Sequence, residues 1–277
     1  MIKNNIKKFA IFGDPIEHSK SPIIHKLFSE QFNIKIEYLK IHANINNVIS
    51  LINNFFINGG NGANVTTPFK QKTLICADKL TKISSLVKSI NTLKKKKNNK
   101  ILGDNTDGVG LLKDLKRLKF IKSNNNILLL GAGGAARGVV LHLLSYESNV
   151  YIFNRTLINS QKLLSDFNNF NKIKIINYTD LINIKFNLII NSTSCGLYKK
   201  YPKIPYKHII RKSTFCYDMF YQKEHTPFLK MCAKNGANNL SDGIGMLVYQ
   251  AAESFYLWNK LKPNVLPVID YLKKNIN

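Results

Sequence analysis

The segment from Asn126 to Arg137, NILLLGAGGAAR, constrains the fold more than any other stretch of this chain. A short apolar strand runs straight into a loop in which Gly131, Gly133 and Ala136 fit G-x-G-x-x-A. On its own such a pattern is weak, because a tight turn that binds nothing satisfies it equally well. Here Val139 to Leu144 continues with helical spacing, and VYIF (Val150 to Phe153) supplies a second strand. Strand, glycine loop, helix and strand together form the context of a dinucleotide fold. Glycines allow the backbone to approach a pyrophosphate, and the helix start offers unpaired N–H groups with positive potential. IKII (Ile173 to Ile176) and NLII (Asn187 to Ile190) follow at βαβ spacing, and apolar strands of this kind suit a parallel sheet covered on both faces.

The end of the second strand discriminates between cofactors. NAD-binding versions carry an acid about 20 residues after the loop to accept the ribose hydroxyls. This chain has Asn154, Arg155 and Thr156 instead. A guanidinium matches a 2′-phosphate in charge and geometry, whereas an acid repels it. The expected cofactor is therefore NADP (NADPH), although an exposed Arg at a helix start would look the same.

The N-terminal half has a different pattern. FAIFG (Phe9 to Gly13), IKIEYLKI (Ile34 to Ile41) and GANV (Gly62 to Val65) read as strands, and Val48 to Ile57 as a helix stopped by Gly59 and Gly60. Ser21 followed by Pro22 reads as an N-cap and first helical residue. Asn91 to Leu93 and Lys100 to Gly103 read as a hairpin, with Lys94 to Lys97 in a solvated turn. The expected architecture is α/β: an N-terminal α/β substrate domain (1–106) and a Rossmann-type dinucleotide-binding domain (107–241). A C-terminal helix returns to complete the first domain (242–277), and a cleft is expected between the two.

Composition sets limits on this reading. The chain has 277 residues and a formal net charge of +25, from 37 Lys and only 4 Arg set against 16 acids. The 35 Asn and abundant Lys and Ile are residues of A- and T-rich codons, so the charge does not by itself indicate a polyanion partner. Dedicated nucleic-acid surfaces favour Arg and a recognisable module. A basic Rossmann protein that binds nucleic acid without catalysis would need both, and neither is present. Cys76, Cys195, Cys216 and Cys232 show no metal or redox spacing and read as small apolar fillers. No metal site is expected. The start of the chain shows no signal-peptide core, and no apolar run reaches the roughly 18 residues of a membrane span. The expectation is a soluble, cytoplasmic protein that binds neither membrane nor nucleic acid.

Small polar groups cluster at the strand ends of the N-terminal half. Ser19 and Ser21 follow the first strand, Asn64 and Thr66 end the third, and Asn91 ends SIN. Lys70 sits at what reads as a first helical turn, and Asp107 opens the next block. Taken singly, each has a duller alternative as a cap or a surface lysine. Together they suit a small, polyhydroxylated, anionic substrate.

Several runs, in order and spacing, resemble the shikimate dehydrogenase family: FGDPIEHSKSPIIH, GANVTTPFK, SINTL, LGDNTDGVGLL, LLLGAGGAARGV, NRT, IINSTSCG, YDMFYQKEHTPFL and DGIGMLVYQAA. They extend from residue 12 to 252, and SKSP, NVTxPFK and GDNTDG together are far more specific than the glycine loop. The resemblance implies an NADP-dependent oxidoreductase that reversibly reduces 3-dehydroshikimate to shikimate in aromatic amino-acid biosynthesis, acting as a monomer or homodimer. It implies Lys70 and Asp107 as the catalytic pair. Ser19, Ser21 and Tyr221 would hold the substrate carboxylate, and Asn64, Thr66, Asn91 and Gln250 the ring hydroxyls. Gly131, Ala132, Gly133, Gly134, Ala135, Asn154, Arg155 and Thr156 would form the cofactor loops, with Met219 and Gly243 beside the nicotinamide. Three departures stand out. Lys88, Ser89 and Ile90 replace the family's GAV before Asn91, Lys82 replaces an acid, and the loop after Cys195 is strongly basic.

Ketone reduction needs a hydride on carbon and a proton on oxygen. Lys70 as proton donor, and as base in reverse, is one reading. Lys70 as a binding group oriented by Asp107 is the other. An NAD-dependent quinate/shikimate dehydrogenase is the alternative within the same family, and the Asn-Arg-Thr turn argues against it.

Overall fold

The computed structural model describes residues 6–275. The leading MIKNN, part of the stretch read as lacking a signal-peptide core, lies outside them, as do Ile276 and Asn277. The chain divides into two compact units, one running to Asp107 together with Val248–Val268, the other comprising Gly108–Leu247 with the end of the chain from Ile269.

In the first unit, β1 (Lys7–Gly13) pairs in parallel with β2 (Ile36–His42) and β3 (Gly62–Val65). The crossovers are α1 (Ser21–Glu30) and α2 (Val48–Ile57). Val48, Ile52 and Phe56 are buried on α2 at spacings of four, the repeat that stacks side chains along one helix face. Gly59, at φ +91°, ends α2 in a conformation costly for any other residue. Then come β4 (Lys79–Leu80), α3 (Lys82–Val87), β5 (Thr92–Lys95) and β6 (Ile101–Asp104). The six-stranded sheet runs β2-β1-β3-β5-β6-β4, with β5 antiparallel to both neighbours. Phe12, Ala63, Val65, Phe69, Ile90 and Leu93 are among its buried core.

Three local expectations are corrected here. Ser21 is the first helical residue rather than the cap; Lys20 occupies that place, with no side-chain cap. Pro22 fixes the first turn but not the cap, because no early helical position needs its N–H. Lys70 lies in a turn before a short 3₁₀ segment, Lys72–Cys76, and not on an α-helix. Its carbonyl accepts from the Ile90 N–H at 2.8 Å, and the Leu74 N–H goes to the Gln71 carbonyl at 3.3 Å, a 3₁₀ pattern. Lys94 and Lys95 belong to β5 rather than to the turn. The Lys94 ammonium donates to the Leu257 carbonyl at 2.5 Å, and burial followed by neighbouring lysines pushes its pKa down.

The second unit contains α4 (Asp107–Arg117, after its first residue), β7 (Asn126–Leu130), α5 (Gly134–Leu144), β8 (Asn149–Phe153), α6 (Leu157–Ser165) and β9 (Ile173–Ile175). It continues with β10 (Leu188–Asn191), α7 (Tyr206–Ile209), β11 (Phe215–Asp218), α8 (Pro227–Lys234) and β12 (Asn239–Ser241). α9 (Ile244–Asn259) crosses the division at Leu247, and α10 (Leu266–Asn275) closes the chain. All six strands are parallel, in the order β12-β11-β10-β7-β8-β9. The strand order reverses between β7 and β10, and open parallel sheets bind ligands beyond the strand ends at such a switch point. The fold class is thus α/β, with a Rossmann-type second unit. Cys76, Cys216 and Cys232 are buried, Cys195 is half-buried, and all four are free thiols. No helix among the described residues is long and apolar enough to cross a membrane.

Candidate active site

In the first unit Lys70 and Asp107 form an ion pair, Nζ to Oδ2 at 2.6 Å, with the two side chains only 14% and 5% exposed. Asn91 donates to the other Asp107 oxygen at 2.8 Å, so both carboxylate oxygens are engaged. The same Asn91 nitrogen reaches Gln250 Oε1 at 3.2 Å, and its oxygen accepts from the Thr106 N–H at 2.9 Å and the Thr92 hydroxyl at 2.8 Å. The Asp107 N–H donates to Asn105 Oδ1 at 3.1 Å. Asp107, Asn91, Thr92, Thr106 and Asn105 are all buried. An ammonium held at one carboxylate oxygen in a largely buried site could move a proton or bind an anionic or hydroxylated ligand.

Asn64 extends the network. Its nitrogen donates to the Asn91 carbonyl (3.0 Å), Ser254 Oγ (3.1 Å) and Thr92 Oγ1 (3.2 Å), while its oxygen accepts from the Tyr38 hydroxyl at 2.6 Å. Burial drives the Tyr38 hydroxyl pKa far up, opposed by a hydrogen bond with the Ser21 side chain. Tyr38 stacks on His25 with ring centroids 4.7 Å apart. His25 is fully buried, and neither ring nitrogen completes a hydrogen bond. Burial lowers its pKa to about 3, and the nearby Asn64 side chain only slightly favours the proton.

Ser19 and Ser21 flank the start of α1, with the Ser21 N–H on Ser19 Oγ at 3.3 Å. Thr66 follows β3, half-buried, with its N–H on the Phe12 carbonyl at 2.9 Å. Tyr221 belongs to the second unit, where its ring stacks near Phe220. Tyr38, Thr92, Thr106 and Ser254 are hydrogen-bonded to Asn64 or Asn91 in this network, and the sequence alone does not single them out. Ser254 has a signal, four residues after Gln250 on the same helix face. Tyr38 has none.

In the second unit, Gly131 follows β7 at φ +108°, and a Cβ there would lie 2.8 Å from Ser192 Oγ. A Cβ on Gly133 would meet nothing within 4 Å. Gly133 caps α5 without any side-chain hydrogen bond, so the first N–H groups of an 11-residue helix have no side-chain cap. Ala132 is buried, while Gly134 and Ala135 are half-buried. At the end of β8, the Asn154 amide folds back onto the Thr156 carbonyl at 2.8 Å. Arg155 is exposed and has no partner among the described residues. Open backbone donors plus a free guanidinium fit a phosphorylated dinucleotide.

Met219 and Gly243 come together: a Cβ on Gly243 would lie 2.3 Å from the Met219 carbonyl oxygen, so only glycine fits there. Met219 is held by its N–H on the Asn191 carbonyl at 2.9 Å. Beneath it, buried Asp218 accepts from Thr226 Oγ1 (2.6 Å), Asn191 Nδ2 (2.9 Å) and the Phe220 N–H (3.1 Å). Burial nonetheless raises the Asp218 pKa to about 6. Asn191 and Asp218 brace both strand ends, and no local sequence pattern marks them for that task. Among the described residues no group of three or more His, Cys, Asp or Glu could hold a metal ion.

Comparison with known proteins matches three family models along the chain. Residues 11–93 match the shikimate dehydrogenase substrate binding domain, 114–199 match shikimate / quinate 5-dehydrogenase, and 243–270 match the shikimate 5'-dehydrogenase C-terminal domain. Among solved structures, an Ael1 enzyme from Pseudomonas putida is 34% identical, with 96% of this chain and 98% of that one covered and a TM-score of 0.88. Shikimate dehydrogenase from Aquifex aeolicus is 30% identical over 99% of this chain and 100% of that one, with a TM-score of 0.87. Shikimate 5-dehydrogenase from Thermus thermophilus, in complex with NADP(H) and shikimate, is 25% identical over 97% of this chain and 99% of that one, with a TM-score of 0.86.

Proposed function

The chain belongs to the shikimate/quinate dehydrogenase family, and on that premise we propose that it catalyses the reversible NADPH-dependent reduction of 3-dehydroshikimate to shikimate. The observation that carries this reading is the dry Lys70–Asp107 pair, fixed from behind by Asn91. In reduction, the Lys70 ammonium gives its proton to the carbonyl oxygen that becomes the C3 hydroxyl; in oxidation, the neutral amine takes it back. Asp107 holds the ammonium at one position, and Asn91 keeps Asp107 from turning. The nicotinamide, when bound, supplies or accepts the hydride.

Ser19 and Ser21 at the uncapped start of α1 suit the substrate carboxylate, because a helix N-terminus favours an anion. Tyr221 is assigned to the same carboxylate, and Asn64, Thr66, Asn91 and Gln250 to the ring hydroxyls. The residues from Gly131 to Ala135 would receive the pyrophosphate, Arg155 the 2′-phosphate with Asn154 and Thr156 shaping its turn, and Met219 and Gly243 would border the nicotinamide. NADP is favoured because the strand end carries a free guanidinium and no acid. The solved relative with NADP(H) and shikimate supports the same choice.

The test follows absorbance at 340 nm with 3-dehydroshikimate and NADPH or NADH, and with shikimate or quinate and NADP or NAD. We expect NADPH turnover with kcat/KM at least about tenfold above NADH, the order of one charge-assisted phosphate contact. Faster turnover of quinate with NAD would establish the alternative within the family. No turnover by folded protein would refute both.

A further inference from the structure

Asn64 is the amide on which the first unit's polar network converges, and its valences can be counted. The nitrogen has two hydrogens, and three oxygens compete for them: the Asn91 carbonyl, Thr92 Oγ1 and Ser254 Oγ. A carbonyl can only accept, so the end of the Asn64 amide facing Asn91 must be the nitrogen. The other end is then the oxygen, and Tyr38 donates to it at 2.6 Å. Ser254 and Thr92 lie 2.7 Å apart and Ser254 also reaches the Gln250 carbonyl at 3.2 Å, so these hydroxyls are engaged among themselves. Asn64 has no donor left to offer, and its oxygen, with His25 close by but neither of that ring's nitrogens completing a hydrogen bond, keeps one lone pair for a further donor.

We propose that Tyr38 is a positioning residue for substrate selection: its hydroxyl pins the Asn64 oxygen, so that Asn64 meets the substrate only as a hydrogen-bond acceptor and selects a ring substituent that donates. This rests on the proposed function, which supplies the contact between Asn64 and a ring hydroxyl. The Tyr38 ring is stacked on His25, which also packs against Phe28, Phe255 and Trp258, so the phenol is seated on an aromatic cluster. A hydroxyl at the matched ring position satisfies the remaining lone pair, whereas an ether, a fluoride or a keto oxygen would face oxygen with oxygen or fluorine and leave Asn64 unpaired.

The test compares wild type, Tyr38→Phe, Asn64→Leu and the double variant, after wild-type turnover of shikimate with NADP has been established. Loss of one buried hydrogen bond predicts that Tyr38→Phe raises the KM for shikimate about 5- to 20-fold. The KM for NADP stays within about twofold, and kcat falls by less than about threefold. In the Asn64→Leu background the same change adds less than about twofold, because Tyr38 acts through Asn64. Additive effects, or an unchanged shikimate KM in folded Tyr38→Phe, would overturn the proposal while leaving the activity standing. Absence of wild-type turnover would remove the activity and the proposal together. A measurement on unaltered Tyr38 serves if that variant does not fold. Shikimate analogues with single hydroxyl-to-fluorine replacements are titrated into wild type and Asn64→Leu. One analogue is expected to bind at least about tenfold more weakly than shikimate to wild type, with the difference lost in Asn64→Leu. Equal binding of every analogue would overturn the inference.

Discussion

The two units prepare for their ligands in opposite ways. In the first, side chains satisfy one another: from Tyr38 through Asn64 and Asn91 to Asp107 and Lys70, nearly every polar atom already has a partner. In the second, donors are left unmatched. The start of α5 has no side-chain cap, the space above Gly133 is empty, and exposed Arg155 has no hydrogen bond or ion pair among the described residues. On the proposed function, the difference follows from what each unit must recognise. A ring with several hydroxyls is distinguished by the placement of individual donors and acceptors, which requires side chains held rigidly by their neighbours. A phosphate is a diffuse anion, and backbone N–H groups with one guanidinium suffice.

The largest expected effect would break this contrast if it failed. Lys70→Met should lower kcat by about 10²- to 10⁴-fold, the usual span for a lost general acid–base group. Arg155→Ser should leave kcat alone and raise only the KM for NADP, by about tenfold. Steady-state kinetics on both variants would sink the division of labour if Lys70→Met changed only the KM for shikimate, or if Arg155→Ser changed kcat.

The second effect concerns pH, and the two units contribute with opposite sign. His25 is held near 3 by burial, while its unfolded counterpart titrates near about 6.5. Between those values the unfolded chain alone takes up the proton, so stability falls as pH drops below about 6.5, by roughly 1 kcal/mol per pH unit. Asp218, raised to about 6 from 3.8, does the reverse. Its folded carboxyl keeps a proton that the unfolded chain has released, so its contribution is complete below 3.8 and is lost as pH rises through about 6. Between pH 4 and 6 the slopes oppose each other. Denaturant midpoints for His25→Phe should therefore fall with rising pH across that window, and those for Asp218→Asn should rise. Parallel curves for both variants would refute the assignment.

The smallest effect is local. Lys88 takes φ 47° at the end of α3, a region that favours glycine, so Lys88→Gly should stabilise by about 0.5–1 kcal/mol in thermal unfolding. A destabilised variant would mean that the lysine side chain contributes more than its backbone costs.

The open site is much the more legible of the two in sequence. The glycine loop and Arg155 both leave marks in local sequence, because each lies in a short segment at the end of one strand. In the saturated network, Lys70, Asp107 and Asn91 stand out in the sequence, but Tyr38 reaches Asn64 from 26 residues away with no local pattern to encode it, and Ser254, 190 residues away, is marked only by its spacing from Gln250. Ser21 illustrates a finer limit. Ser-Pro fixes the helix start to within one residue, and that residue decides whether the hydroxyl caps the helix or is released from that task.

The isolation of Arg155 has a consequence for how such a chain can change over time. A side chain that braces no neighbour can be exchanged in a single step without a compensating substitution elsewhere. On the proposed function, the end of β8 is thus a place where cofactor choice can drift while the fold stays under unchanged selection. Asn64 offers no such freedom, since altering it disturbs four partners at once. Lineages built on this scaffold should therefore swap nicotinamide cofactors more readily than they swap ring substrates.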